Sequence, residues 1–219
     1  VNRENAVTRL ADAVSRIGNY KWPQRITKTN EVFLRKIAEL TGKTYDANNL
    51  TPILDEVGSI SRMMGATLSN TANPSMLEGG YKANVIPQTA SAVVDGRTLP
   101  GYEKELLDTV KQLAGEHVKV ESLVSDIPLE VDFSGPLVEK MIAAIKAEDP
   151  EGIPVPYVMS GGTDNKALAK LGLAGYGFSP LKLPPELDFL ALFHGVDERV
   201  PIDSLKFGAR SLQTFLANA

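Results

Sequence analysis

Between Asn5 and Glu121 the apolar residues repeatedly change their spacing, and few architectures accommodate the resulting order. Val7, Leu10, Val14 and Ile17 recur at helical intervals, with Gly18 as the stop. A second helix is predicted from Asn30 to Leu40, with Val32, Phe33 and Ile37 inward and Gly42 ending it. Thr51-Pro52 reads as a cap followed by proline in the first turn, opening a shorter helix toward Met64. The texture then changes to alternation. Thr67 to Ala72, Tyr81 to Val85 and Thr89 to Arg97 predict strands, with Pro87-Gln88 turning between the last two. Glu103 to Leu113 returns to helical spacing, Gly115 stops it, and His117 to Glu121 alternates like a half-exposed strand. From Tyr81 onward the order is strand, strand, helix, strand; with the helix at Asn5 in front, it lacks only a first strand to be a split βαβ unit of the ferredoxin-like α+β type.

The proline-bearing stretch Ser125 to Gly135 is the natural boundary, giving domains at 1–125 and 126–219. Beyond it the pattern predicts a helix (Leu137 to Ala147), an apolar strand (Val155 to Met159), a helix (Asp164 to Leu171) and a strand (Ala174 to Phe178). A loop rich in proline and leucine (Ser179 to Leu192) follows, then a last helix from Asp203 to Leu216. That alternation is α/β.

Charge and composition narrow the function classes. A formal net charge of −4 disfavours a nucleic-acid partner, because neutralising phosphates needs a basic face. The absence of cysteine removes disulfides, thiolate metal sites and cysteine nucleophiles. No apolar run reaches the ~18 residues of a membrane span and the start is not signal-like, so a cytoplasmic protein without membrane contact is expected. The chain opens at Val1 without methionine and enters a helical pattern at once, which reads as a fragment or a processed product.

Three stretches carry candidate chemistry. His194, one of only two histidines, lies between Phe193 and Gly195, with Asp197 and Glu198 just beyond. Its ring suits a metal ligand, a general base or plain packing. Zinc requires three or four converging ligands, and no His-x-Asp or Glu-Glu pair occurs in the chain. Ser160-Gly161-Gly162-Thr163-Asp164 joins a predicted strand to a helix, where backbone amides meet an anion; it equally suits a tight turn with Thr163 as the cap. Asn84, beside a hairpin, and Arg97, at the end of the returning strand, read on their own as a turn asparagine and an exposed strand arginine.

Taken together these stretches are more specific. Asn84-Val-Ile-Pro87, then Asp95-Gly-Arg-Thr-Leu-Pro-Gly101, then Ser160-Gly-Gly-Thr-Asp164, then Phe193-His-Gly-Val-Asp-Glu198 stand in one order over nearly the whole chain. Gly79-Gly80 and Asn5-Ala6-Val7 add to the set. The chain resembles the zinc-dependent exopeptidase and amidohydrolase family of carboxypeptidase G, aminoacylase and succinyl-diaminopimelate desuccinylase. The resemblance implies a catalytic α/β domain with two zinc ions, interrupted by a ferredoxin-like lid that pairs into a homodimer. It further implies that His194 is a metal ligand, that Asn84 and Arg97 grip substrate, and that Ser160, Gly161, Gly162 and Thr163 hold the substrate carboxylate. Glu198 takes a supporting role beside the ligand. The family's His-x-Asp motif, bridging aspartate, Glu-Glu pair and further acidic ligand are missing, and His117 does not replace the family's lid histidine.

The expectation is therefore a lid lacking its first strand, followed by the C-terminal part of the catalytic domain. In the intact enzyme a metal-activated water would hydrolyse the amide of a dipeptide or N-acyl amino acid. This chain alone would be inactive and hold zinc weakly or not at all. Two alternatives stand beside it: a non-catalytic dimerisation module made by the lid, and a serine hydrolase using Ser160, Asp188 and His194, which lacks the Gly-x-Ser-x-Gly elbow.

Overall fold

Asn5 begins the first helix, α1 (Ala6–Gly18), by accepting from the backbone N–H groups of Val7 (2.9 Å) and Thr8 (3.4 Å). The structure, a computed structural model, describes residues 4–58, 60–159 and 161–219. It divides into two compact units, each discontinuous in sequence. The first holds residues up to Thr27 together with Ala66–Leu129; the second holds Lys28–Gly65 and Glu130–Ala219. Residues 28–65 thus lie inside the stretch read as the first domain but cluster with the second unit.

In the first unit α1 buries Leu10, Ala13 and Ile17 along one stripe. Strands β1 (Thr71–Gly79) and β2 (Ala90–Arg97) form an antiparallel hairpin whose register runs from Thr71 opposite Arg97 to Gly79 opposite Ala90. The register shifts between Pro74 and Met76, so Ser75 is the extra residue of a bulge beside a proline that has no N–H to give the ladder. Helix α5 (Glu103–Ala114) completes the core. Ile17, Ala72 and Ala114 form its centre, with Trp22, Val94, Leu106, Val110, Leu113, Val118 and Val120 packed around them. Arg16 donates to the carbonyls of Leu113 (2.7 Å) and Ala114 (3.2 Å), placing a cation on the end of α5 where the helix dipole is negative. Buried Asn70 ties the chain after β2 to the start of β1: its Oδ1 accepts from Leu99 N at 2.8 Å and its Nδ2 donates to Tyr102 O at 3.1 Å.

The strands depart from the sequence expectation in definite ways. The strand expected at Thr67–Ala72 starts at Thr71 and continues to Gly79. Tyr81–Val85 is not a strand. Gly80 adopts φ 79°, pairing ends at Gly79 opposite Ala90, and residues 81–85 turn, with Val85 N donating to Lys82 O. His117–Glu121 does alternate, with Val118 and Val120 against the core and Lys119 exposed, yet no ladder forms there. The last strand of a split βαβ sheet pairs with the first, and no strand precedes α1 among the described residues.

The second unit is helical as described. Helix α2 (Lys28–Thr41), a short α3 (Thr51–Leu54), a 3₁₀ turn (Asp55–Val57) and α4 (Ile60–Gly65) bury Phe33, Leu34, Ala38, Leu50, Ile53 and Met64. Pro52 falls in the first turn of α3, as the sequence predicts, but the cap position is Leu50 and Thr51 is already the first helical residue. Helix α6 (Pro136–Glu148) packs on α9 (Ile202–Asn218), burying Val138, Met141 and Ala144 on one side and Ser204, Phe207 and Ser211 on the other. Between them lie α7 (Asn165–Ala169) and α8 (Phe189–Leu192). Val155–Met159 and Ala174–Phe178, expected as strands, run without a ladder, because a strand exists only where a neighbour takes its backbone hydrogen bonds. No helix among the described residues is long and apolar enough to cross a membrane.

Asn70→Ala removes both bonds and leaves the Leu99 N–H buried without its acceptor, so it should cost about 1–3 kcal/mol in urea unfolding of the chain. A change within a few tenths of a kcal/mol would show that water takes over both partners.

Candidate functional site

The loop bearing His194 is built from local contacts. Asp188 caps α8, its carboxylate accepting from Ala191 N at 3.2 Å. Phe189 and Phe193, one turn apart, meet edge to face with ring centroids 5.0 Å apart. Gly195 N then donates to Leu192 O at 2.9 Å, closing a tight turn; a Cβ on Gly195 would sit 3.0 Å from that same oxygen. Between these anchors His194 has φ 59°, the only non-glycine residue at positive φ among those described. Histidine is costly there and glycine is not. The side chain is exposed, as are Asp197 and Glu198 after it. Asp197 is engaged by an ion pair with Arg199.

The other predicted residues fall as follows. Arg97 closes β2, about three-fifths exposed, and its Nε donates to the carboxylate of Asp95 at 2.8 Å. The two lie two residues apart on one face of the strand, so the sequence already places them together. Asn84 is exposed in the turn between the strands instead of at a strand end. Gly161, Gly162 and Thr163 are exposed ahead of α7, and Ser160 lies outside the described residues. Thr163 is not the cap of α7. Asp164 holds that position, without a side-chain bond to the helix, and Thr163 accepts from Lys166 N through its carbonyl. Asn84 and Arg97 belong to the first unit; Gly161 to Thr163, His194 and Glu198 belong to the second. His117 is exposed beside Glu116, 3.6 Å away.

One residue was not legible beforehand. Arg62 on α4 donates to the Asp188 carboxylate at 2.5 Å across 126 positions of sequence. No local pattern links the two. The bond also occupies the carboxylate that a serine-hydrolase reading would need to orient His194.

The donor set does not complete a zinc site. Among the described residues no three histidine or acidic side chains stand close enough to hold a metal ion. His194 offers a single imidazole, whereas zinc takes three or four ligands.

The family described as peptidase dimerisation domain matches residues 2–121. A probable carboxypeptidase S-like 2 of Dictyostelium discoideum is 26% identical over 213 residues, covering 93% of this chain and 40% of that protein. The N-fatty-acyl-amino acid synthase/hydrolase PM20D1 of Mus musculus is 29% identical over 174 residues, covering 77% of this chain and 34% of the other. Aminoacylase-1 of Pongo abelii is 33% identical over 137 residues, covering 59% and 32%. The chain thus spans about two-fifths or less of these relatives. Among solved structures, an M20 family metallo-carboxypeptidase from Sulfolobus solfataricus superposes with a TM-score of 0.56 at 18% identity, over 98% of this chain and 56% of that one. That likeness places the chain in the α/β fold of that enzyme.

His194→Gly should leave stability unchanged or raise it by at most about 1 kcal/mol, since glycine takes positive φ freely. His194→Val, which adopts that conformation poorly, should cost about 1–2 kcal/mol. Chemical denaturation of the two variants checks the difference.

Proposed function

The chain belongs to the peptidase dimerisation domain family, and from that membership we propose that it is part of an amidohydrolase acting on a dipeptide or N-acyl amino acid. The observation that supports this most strongly is His194, exposed on a backbone conformation that costs stability, at the tip of a loop closed by Asp188, a Phe–Phe contact and Gly195. Such cost is characteristic of functional positions. Relatives that cover 93% and 77% of this chain are named as a carboxypeptidase S-like protein and a synthase/hydrolase, which supports the same class.

In this reading the first unit supplies the homodimer contact and the substrate grip. Arg97 exchanges its exposed Asp95 partner for the substrate carboxylate. An exposed pair of this kind is worth only ~0–1 kcal/mol, so the exchange costs little. Asn84 offers an amide for the substrate's polar groups, and Ser160, Gly161, Gly162 and Thr163 offer backbone N–H groups to an anion. Zinc is the metal of this reading. His194 contributes one ligand, Glu198 a supporting carboxylate, and the remaining ligands come from outside this set of residues.

A second reading is favoured by the matched family itself. Residues 2–121 are a dimerisation domain, and such a module needs no chemistry of its own. His194 separates the two. In the full-length protein, His194→Ala should abolish release of amino acid from an N-acyl amino acid, whereas His117→Ala should leave it intact. Full activity in His194→Ala would leave the module reading alone.

Arg97→Ala should raise KM for carboxylate-bearing substrates about 10- to 150-fold, the equivalent of ~1.5–3 kcal/mol for a charge-assisted hydrogen bond. Initial-rate kinetics against the matching amide-capped substrate provide the check: only the carboxylate form should suffer. An unchanged KM removes Arg97 from the site.

A further inference from the structure

Residues 28–65 sit within the sequence matched as a dimerisation domain, yet they cluster with the unit that bears His194. Both ends of this segment are fastened to that unit. At its start Lys28 pairs with Asp132, and Thr29 N, in the first turn of α2, donates to Glu130 Oε1 at 2.6 Å. Asp132 is held in turn, its carbonyl accepting from Tyr176 OH at 3.3 Å. At its end Arg62 donates from Nη2 to Asp188 Oδ2. The other oxygen of the same carboxylate, Oδ1, accepts from Ala191 N and so shapes α8, two residues before His194.

We infer that residues 28–65 brace the loop that carries His194, with Arg62 as a positioning residue acting through Asp188. A four-residue helix has little stability of its own. Its cap holds only while the Asp188 side chain keeps the rotamer that faces Ala191 N. The guanidinium fixes that rotamer from outside the loop. Arg62 touches neither substrate nor reacting atoms. Its effect is to narrow the range of positions that the His194 ring samples. The functional part of this inference rests on His194 being a site residue; the structural part does not.

The test is amide hydrogen exchange on the wild-type chain, R62A, R62K and D188N, joined to kinetics of the full-length protein on an N-acetyl amino acid. Loss of an exposed ion pair should speed exchange of residues 188–196 by about 1.4- to 5-fold in R62A and D188N. R62K should lie near wild type, and the double variant R62A/D188N should add nothing to either single change. Exchange in α6, α9 and the β1–β2 hairpin should stay fixed. In the kinetics kcat should fall in R62A with KM held, and R62K should restore it. Unchanged exchange at 188–196, or an increase spread over α6 and α9, overturns the brace. If exchange responds as stated but His194→Ala remains fully active, the functional reading fails and the brace stands.

Discussion

The antiparallel ladder between β1 and β2 organises the first unit. A strand has no hydrogen bonds within itself, so each of its N–H and C=O groups must be met by a neighbour. A two-stranded hairpin is marginal alone and needs a layer on one face. Helices α1 and α5 provide it, converging on Ile17, Ala72 and Ala114. Asn70 ties the end of β2 back to the start of β1, and Arg16 joins α1 to the last carbonyls of α5. The same requirement explains why 117–121, 155–159 and 174–178, all suited to strands by composition, carry no ladder here.

The second unit shows the complementary economy at a loop. His194 occupies a conformation that favours glycine, and its surroundings offset the cost: a capped α8, two phenylalanines packed edge to face, a closing bond from Gly195, and Arg62 from a distant helix. Arg97 in the first unit is built differently. It needs no strain, because the alternation of β2 already sets it on the face of Asp95, with which it forms a weak exposed pair.

Helices were legible in the sequence because their signals are local. Of the predicted stripe Val7, Leu10, Val14 and Ile17, the structure buries Leu10 and Ile17 while Ala13 takes the place between them. This stripe, the proline inside the first turn of α3 and the stop at Gly115 each act within a turn or two of chain. Strands were less so. Alternation marks the residues able to form a strand, but the partner decides, which is why Tyr81–Val85 turns at Gly80 while β1 runs on to Gly79. In the site, the order of motifs singled out His194, Arg97, Asn84 and the Ser160–Thr163 loop. The cap at α7 fell on Asp164 instead of Thr163, at the start of a five-residue helix that buries no residue. Arg62 was beyond reach, because its partner lies 126 residues away and nothing in either neighbourhood encodes the meeting. The clustering of 28–65 with the second unit was hidden for the same reason.

His194 is the point on which fold and function meet, and His194→Gly separates the two roles because glycine keeps the left-handed turn while deleting the imidazole. The decisive measurement is kcat/KM of the full-length His194→Gly protein on an N-acetyl amino acid, alongside its unfolding midpoint. The account predicts an intact midpoint with hydrolysis lost. Retained hydrolysis at an intact midpoint would contradict it.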